Sequence, residues 1–301
     1  MSDPAVLMAA AKASLYRFAA LAQTVLAPET LFQTSWVNRA VHYQLRAIEE
    51  GETTRLLLNV PNGYHNLLLI GIARIAWKLG RNPNQRFLVI LPKDREDYYT
   101  IEQFMTELRS IFTSNFYSAI FPNVEPHQVT QIEFHTGDSG RIYITHASGQ
   151  LPVYKVDHII SLEAEQDYDL TAPPRISDAA DWLTNTAFNK LNNDALSTIT
   201  VLNKRVSWAD VSTLLKSDNY GNWKHLEMTY LTDDDNTYQI RRNGSQRTYT
   251  RVYGEALPED PEAFNPAYED PLQNMAFHDF LFCDDEDMQD VWMLFEDLEN
   301  A

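Results

Sequence analysis

Apolar residues along the chain alternate between short continuous runs and longer stretches with helical periodicity. Four runs of six or seven residues are rich in Leu, Ile and Val: 55–60, 86–91, 156–162 and 197–202. Such runs are typical of strands that are buried on both faces of a sheet. Apolar positions recur at helical spacing in five stretches: 36–50, 65–79, 96–112, 177–190 and 207–217. Strands that alternate with helices predict an α/β fold of three layers, with a mostly parallel central sheet.

Three regions lie outside this alternation. Residues 4–26 have the apolar period of a single helix, which we expect to pack on the rest of the domain through Leu7, Leu15, Phe18 and Leu21. A hairpin is predicted from 130–135 and 141–146, around a Gly-Asp-Ser-Gly turn. From about residue 231 the pattern gives way to Asp-rich and Pro-rich turns.

The acidic residues are concentrated at the C-terminus. The chain has 42 acidic and 24 basic residues, but 15 of the acids and none of the bases lie in 255–301. The other 254 residues therefore carry 27 acids and 24 bases, so most of the net charge of −18 belongs to this tail. We divide the chain into an N-terminal helix (1–30), an α/β domain (31–254) and an acidic tail (255–301). A near-neutral domain does not favour direct DNA binding, which usually needs a basic face.

The composition also bears on the class of protein. Hydrophobic residues at 44% and charged residues at 22% are typical of a globular protein. The single cysteine, Cys283, excludes an internal disulfide, and the eight histidines lack the spacing of metal ligands, so we expect no metal site. Lys12 and Arg17 interrupt the N-terminal apolar stretch, so we expect an intracellular protein without a membrane span.

One junction has the order of elements that proteins use to bind phosphate. The apolar run 55–60 is followed by a short loop and then by the helical stretch 65–79. A strand, a loop and a helix in this order can direct backbone N–H groups at a phosphate. The candidate loop residues are Pro61, Asn62, Gly63, Tyr64, His65, Asn66 and Leu67.

Several segments around this junction match one family in order and spacing. They are Arg55-Leu-Leu-Leu-Asn-Val-Pro61, Trp77-Lys-Leu-Gly-Arg-Asn-Pro-Asn-Gln-Arg-Phe87, Ser114-Asn-Phe-Tyr117 with Phe121, Val201-Leu-Asn-Lys-Arg205 with Asp210-Val211, and Asn222-Trp-Lys-His-Leu226. These segments resemble RRLIINIPPRHGKS, W.LG..P..RF, S.WY...F, VMQTRWHEDDL and W.HL.LP in the large terminase subunit of tailed phages, the motor ATPase that packages DNA. The resemblance extends over about 200 residues, from 31 to 230.

The departures from the family fall where its chemistry lies. The family's Gly-Lys-Ser aligns with His65, Asn66 and Leu67, so the lysine that contacts the phosphates and the serine that holds Mg²⁺ are replaced. The magnesium aspartate of the family aligns with Leu162. Two remnants are kept, Glu163 at the position of the water-orienting acid and Arg205 at that of the coupling arginine.

The resemblance therefore implies a P-loop-ATPase-like domain that is catalytically inactive and holds no cofactor. We expect a pseudo-ATPase of phage or prophage origin, without a nuclease domain because the chain ends in the acidic tail. Its expected partner is a packaging component, such as a terminase subunit or the portal. Its expected location is the cytoplasm of the bacterial host or the virion.

Two alternatives remain open. The first is a divergent but active ATPase that binds ATP and Mg²⁺, in which Lys93 or a group from a neighbouring molecule replaces the missing charge. The second is a DNA mimic or inhibitor, in which the carboxylates of the tail occupy the groove of a basic nucleic-acid-binding protein.

The tail has the pattern of a docking helix. Five apolar residues recur at helical spacing and, with Phe280 upstream, form the candidate partner-binding set: Met288, Val291, Trp292, Phe295 and Leu298. A helix of this length is marginally stable alone. We therefore expect it to dock, either on its own domain or on a basic partner.

Overall fold

The computed structural model describes residues 4–29, 36–60, 67–92, 100–163, 178–192, 195–203, 211–217, 222–229, 232, 235–242 and 245–253. The helices are α1 (Pro4–Ala13), α2 (Leu15–Leu26), α3 (Trp36–Glu49), α4 (Ala73–Arg81), α5 (Ile101–Phe112), α6 (Asn115–Ile120), α7 (Asp178–Trp182) and α8 (Val211–Lys216). The strands are β1 (Arg55–Asn59), β2 (Arg86–Leu91), β3 (His127–Thr130), β4 (Glu133–Thr136), β5 (Gly140–His146), β6 (His158–Leu162), β7 (Thr198–Leu202), β8 (Lys224–Glu227), β9 (Asn236–Arg242) and β10 (Ser245–Arg251). A π-helical turn, Leu67–Ile72, precedes α4, and α7 continues through π-helical and 3₁₀ turns to Lys190.

Eight of the strands form one central sheet in the order β3-β4-β5-β2-β6-β7-β1-β8. Six neighbouring strands run parallel to one another, namely β5, β2, β6, β7, β1 and β8. Strands β3 and β4 extend the sheet beyond β5 in antiparallel pairing. The first strand, β1, lies inside the sheet between β7 and β8, as its continuous run of leucines requires. The prediction of an α/β fold with a mostly parallel central sheet is confirmed.

Helices cover both faces of this sheet. Side chains alternate along β1, so that Leu56 and Leu58 point to one face and Leu57 to the other. On the first face, the leucines share a core with residues of α2, α3, α4 and α5. On the second face, Leu57 shares a core with residues of α7 and α8.

The N-terminal stretch forms two helices, so the prediction of one continuous helix over 4–26 is wrong. The break falls at Ser14, which caps α2 by accepting a hydrogen bond from the Arg17 backbone N–H at 3.4 Å. The predicted packing side chains Leu7, Leu15, Phe18 and Leu21 are all buried. The last three belong to the core of the first face, so these helices are an integral part of it.

Two strands occupy the region after residue 231, where only turns were expected. Strands β9 and β10 form an antiparallel hairpin, in which Asn236 is paired with Arg251 at one end and Arg242 with Ser245 at the other. The hairpin packs on α3, where the ring of Trp36 stacks on Tyr249 with centroids 4.3 Å apart and also contacts Tyr238. Most of its other side chains are polar and exposed, which is why the sequence pattern did not reveal it. In the described part of the chain, no helix is both long and apolar enough to cross a membrane.

A charged cluster is buried between α3, α4 and the sheet. The side chain of Arg74 is fully buried; its Nε donates to Glu49 Oε1 at 2.8 Å and its Nη1 to Thr200 Oγ1 on β7 at 2.8 Å. Lys78 Nζ lies 2.6 Å from the second oxygen of Glu49. Burial by itself would raise the pKa of Glu49, but the two cations together hold this pKa below its ordinary value. The two cations thus share one carboxylate as their counter-ion, and Arg74 ties both helices to β7.

We expect Glu49→Gln to lower the free energy of unfolding by about 3–5 kcal/mol, since it leaves two buried cations without a counter-charge. The neighbouring Glu50, which pairs with Arg46 on the surface, provides the matched control. Glu50→Gln should cost about 0–1 kcal/mol. Urea denaturation of the three proteins measures both values, and equal costs would contradict the structural role of the cluster.

The difference in the free energy of unfolding between wild type and Glu49→Gln should depend on pH. A carboxyl group whose pKa is lowered on folding stabilises the fold fully above its unfolded-state pKa of about 4.3. This stabilisation is lost as the pH falls through the lower pKa of the folded state. The difference between wild type and Glu49→Gln should therefore shrink below about pH 4.

Candidate functional site

The carboxyl ends of the parallel strands lie along the same border of the sheet; we call this border the edge, as distinct from the edge strands β3 and β4. Strand β1 is followed by α4 on the first face, whereas its neighbour β7 is followed by α8 on the second face. Adjacent strands whose connections diverge to opposite faces leave a crevice beyond their carboxyl ends, where open α/β sheets bind ligands. The candidate site is therefore the edge formed by the ends of β1, β6, β7 and β8.

A buried amide joins three segments at this edge. Asn59, the last residue of β1, is 1% exposed, and its Nδ2 donates to the backbone oxygen of Asn203 at 2.7 Å and to Ser212 Oγ at 2.7 Å. Its Oδ1 lies 2.7 Å from His225 Nε2 on β8. Asn203 follows β7 and Ser212 lies in α8, so one side chain fixes the ends of two strands and the helix between them.

The hydrogen-bond network determines which imidazole nitrogen carries a proton. The carbonyl oxygen of Asn203 can only accept, so the Asn59 amide must turn its NH₂ group towards it. Asn59 Oδ1 then faces His225, and His225 Nε2 must be the donor. Glu227 Oε2 lies 3.8 Å from His225 Nε2, too far for a hydrogen bond, and pairs with Lys216 Nζ at 2.7 Å. On the second face of this edge, the Asn59 side chain is therefore held by protein groups on β8, α8 and the residue after β7.

Glu163, directly after β6, has an unusual backbone conformation. Its φ of 51° lies in the left-handed region, which costs a residue with a side chain roughly 1–3 kcal/mol. Its N–H donates to the backbone oxygen of Leu202 at 2.7 Å, which holds it beside the end of β7. The Glu163 side chain is half-buried.

Leu162 fills the first face of the same edge. It is fully buried and belongs to the core formed with α4 and α5. A methyl group on Gly71 would lie 2.9 Å from Leu162 Cδ1, so this leucine lies directly against the turn that leads into α4. That turn is π-helical over Leu67–Ile72 rather than a regular α-helical start. Apolar packing therefore joins β6 to the helix that follows β1.

The sequence-predicted site residues are only partly covered by the structure. Glu163 lies at the edge that also contains Asn59 and Leu162, while Leu67 begins the π-helical turn. The loop residues Pro61, Asn62, Gly63, Tyr64, His65 and Asn66 lie outside the described residues, as do Arg205, Lys93 and the tail set from Phe280 to Leu298. Among the described residues, no three His, Cys, Asp or Glu side chains are grouped so that they could hold a metal ion.

Sequence reasoning missed the members of the polar network as site residues. Asn59, Asn203 and His225 lie in the segments that carry the family resemblance, but no role was assigned to them. A polar residue directly after a buried strand, as at Asn59 and Asn203, was the available signal. The sequence could not show which residues contact one another, because the partners of Asn59 are 144 to 166 residues away from it along the chain.

We compared the chain with known proteins. No protein-family model matches it, and no curated protein matches it. The arrangement of this edge is therefore the basis for the function proposed below, together with the order of the sequence segments.

Proposed function

We propose that this chain is a terminase-like pseudo-ATPase of phage or prophage origin, which serves DNA packaging or its regulation through protein contacts. The observation that carries the proposal is the buried Leu162. It stands where the resembled family has its magnesium aspartate, and it packs against Gly71 in the turn after the first strand. An apolar contact thus replaces a metal ligand at the centre of the site.

Contacts between distant segments support the resemblance to the terminase family. The segments beginning at Arg55, Val201 and Asn222 were matched separately, yet all three meet at Asn59. The three segments form the neighbouring strands β7, β1 and β8, so this meeting agrees with the order of the matched segments.

Two other matched segments also contact each other, away from Asn59. The glycine of the Trp-x-Leu-Gly segment, Gly80, lies under the ring of Phe121 from the Ser-x-Phe-Tyr segment, and a methyl group there would lie 2.3 Å from the ring. Tyr117 of the same segment donates to the backbone oxygen of Ala76 at 3.1 Å. These contacts give physical reasons for the glycine, the tyrosine and the phenylalanine of the pattern.

The replaced groups explain why hydrolysis is not expected. Phosphoryl transfer depends on positioning and on positive charge around the phosphates. Asn66 and Leu67 offer no charge and no metal ligand in place of the family's lysine and serine, and Leu162 offers no carboxylate. Glu163 in its left-handed conformation is the feature that favours the rival, an ATPase with a divergent loop.

We expect calorimetric titration with Mg·ATP to show no binding up to millimolar nucleotide. Each missing charge-assisted contact removes about 1.5–3 kcal/mol, and three losses bring a micromolar affinity to the millimolar range or weaker. Micromolar binding would contradict the proposal and favour the divergent ATPase.

Turnover distinguishes the two functions further. If the divergent ATPase is correct, ATP hydrolysis should vanish in Glu163→Gln. It should persist in Glu102→Gln, which removes an exposed carboxylate of α5 and serves as the matched control. The pseudo-ATPase proposal predicts that wild type and both variants are equally inactive.

The proposed partner is a packaging component, a terminase subunit or the portal. Purified portal or terminase subunit should be captured by the full chain. Capture that is lost when the chain stops at Tyr253 assigns the contact to the tail, and capture that persists assigns it to the domain. Failure of the full chain to bind either component would contradict the packaging role.

A further inference from the structure

Four cationic or titratable side chains form a row across the antiparallel edge of the sheet. Arg86 of β2 is in register with Arg141 of β5, Arg141 with His135 of β4, and His135 with His127 of β3. Residues in register on neighbouring strands project from the same face, so the four side chains are neighbours. For the two histidines the contact is direct, with ring centroids 5.7 Å apart. We call these four residues the arginine–histidine row.

The two arginines, at one end of this row, are not paired with carboxylates among the residues that the structure describes. In the described ranges, their guanidinium groups donate only to backbone oxygens, Arg86 Nε to Ser139 at 3.4 Å and Arg141 Nη1 to Gly140 at 2.7 Å. Like charges in register on adjacent strands are destabilising. Arg46 and Lys216 have a carboxylate partner, whereas Arg55 donates to backbone oxygens as the two arginines of the row do.

Within the part of the chain that the structure describes, the acidic side chains beside the row contact row residues, but not the two guanidinium groups. Glu133 accepts a hydrogen bond from Tyr154 at 3.0 Å and lies 3.2 Å from His135 Nε2. Asp157 accepts the backbone N–H of Arg86 at 2.9 Å. The guanidinium groups therefore keep donors for an external anion, and the row is accessible because His127 is exposed and the other members are half-buried.

The chain carries its own polyanion. Residues 255–301 contain 15 acidic side chains and no Lys or Arg, together with the apolar stripe that includes Trp292. Two exposed apolar side chains lie close to the row along the chain, Val129 at 47% and Val153 at 98% exposure. The carboxylates of the tail match the arginines of the row in charge, and its apolar side chains match the two exposed valines.

The tail is long enough to reach this region. Cys283 follows Tyr253 by 30 residues, which span up to roughly 100 Å when extended. A domain of about 250 residues has a radius of gyration of roughly 18 Å. Length therefore does not restrict where on the domain the tail can dock.

We propose that the arginine–histidine row is the docking site of the chain's own acidic tail, residues 255–301. The carboxylates of the tail supply the counter-charge that Arg86 and Arg141 lack, and its apolar residues cover the exposed valines. This assignment does not depend on the ATPase ancestry of the domain, because it uses only the antiparallel edge and the tail.

The only cysteine of the chain makes the test direct. Cys283 lies in the tail, so a thiol-reactive benzophenone attaches there without any mutation. After irradiation of the full-length monomer in low salt, mass spectrometry should place the cross-links in residues 127–154 of the same chain. Raising the salt to about 0.5 M should reduce the yield several-fold, since exposed charge pairs are screened.

Substitutions test the residues themselves. Arg86→Gln combined with Arg141→Gln should reduce the cross-link roughly fivefold or more, because both charges of the contact are lost. Lys12→Gln combined with Arg247→Gln removes two exposed charges elsewhere and should leave the yield unchanged. If the double arginine variant does not fold, Arg141→Gln alone and the salt series of the wild type serve instead.

Three results would overturn the assignment. These are intramolecular cross-links that lie mainly on other surfaces, a yield that responds equally to both pairs of substitutions, and cross-links that form only between two chains. Micromolar ATP binding would overturn the proposed function while leaving the cross-linking result intact, so the two failures are distinguishable.

Discussion

The hydrogen bonds of the Asn59 side chain are the interaction on which the candidate site depends. Strands β1, β7 and β8 come from distant parts of the chain, and their ends are fixed relative to one another by one buried amide. The backbone supports this arrangement, with the Asn203 N–H donating to Leu58 at 2.9 Å and the Met228 N–H to Asn59 at 2.8 Å. An unsatisfied buried amide would cost about 1–3 kcal/mol, so the loss of any one partner should destabilise this edge.

This network changes how the crevice at the sheet edge is interpreted. In a nucleotide-binding site, phosphate and metal supply part of the bonding that holds the strand ends and the first helix together. Here the second face is held by Asn59 and its partners, and the first face by the contact of Leu162 with Gly71. Both contacts are complete without a ligand. In the proposed function this edge is a scaffold, and the contacts that serve the function are made by the rest of the chain.

The sequence was sufficient to predict the central sheet, because strands buried on both faces need continuous apolar runs such as Leu56-Leu-Leu58. It was insufficient where burial depends on a distant partner. Strand β9 has two buried apolar side chains, Tyr238 and Ile240, and the ring of Trp36 contacts the first of these. Strand β8 is a four-residue edge strand with mostly polar side chains, and it is recognisable only from its pairing with β1.

The candidate site shows the same limit. Glu163 could be named from the resemblance, but its left-handed conformation follows from the position of the end of β7, which the sequence does not give. Ser14 illustrates a local signal that was overlooked. The apolar period continues across it, yet its hydroxyl caps the next helix. The arginine–histidine row depends wholly on strand register, since its members lie on four different strands.

Amide hydrogen exchange at the strand ends tests most directly whether this edge is complete without a nucleotide. The N–H groups of Glu163, Asn203 and Met228 should be strongly protected in the free protein, and millimolar Mg·ATP should leave their protection unchanged. Asn59→Asp removes the amide donors and should speed exchange at Asn203 and Met228. The control Asn84→Asp keeps the surface oxygen that accepts a hydrogen bond from the Ser139 N–H, so it should not speed exchange at Asn203 or Met228. Weak protection in the free protein that rises on addition of Mg·ATP would contradict the account.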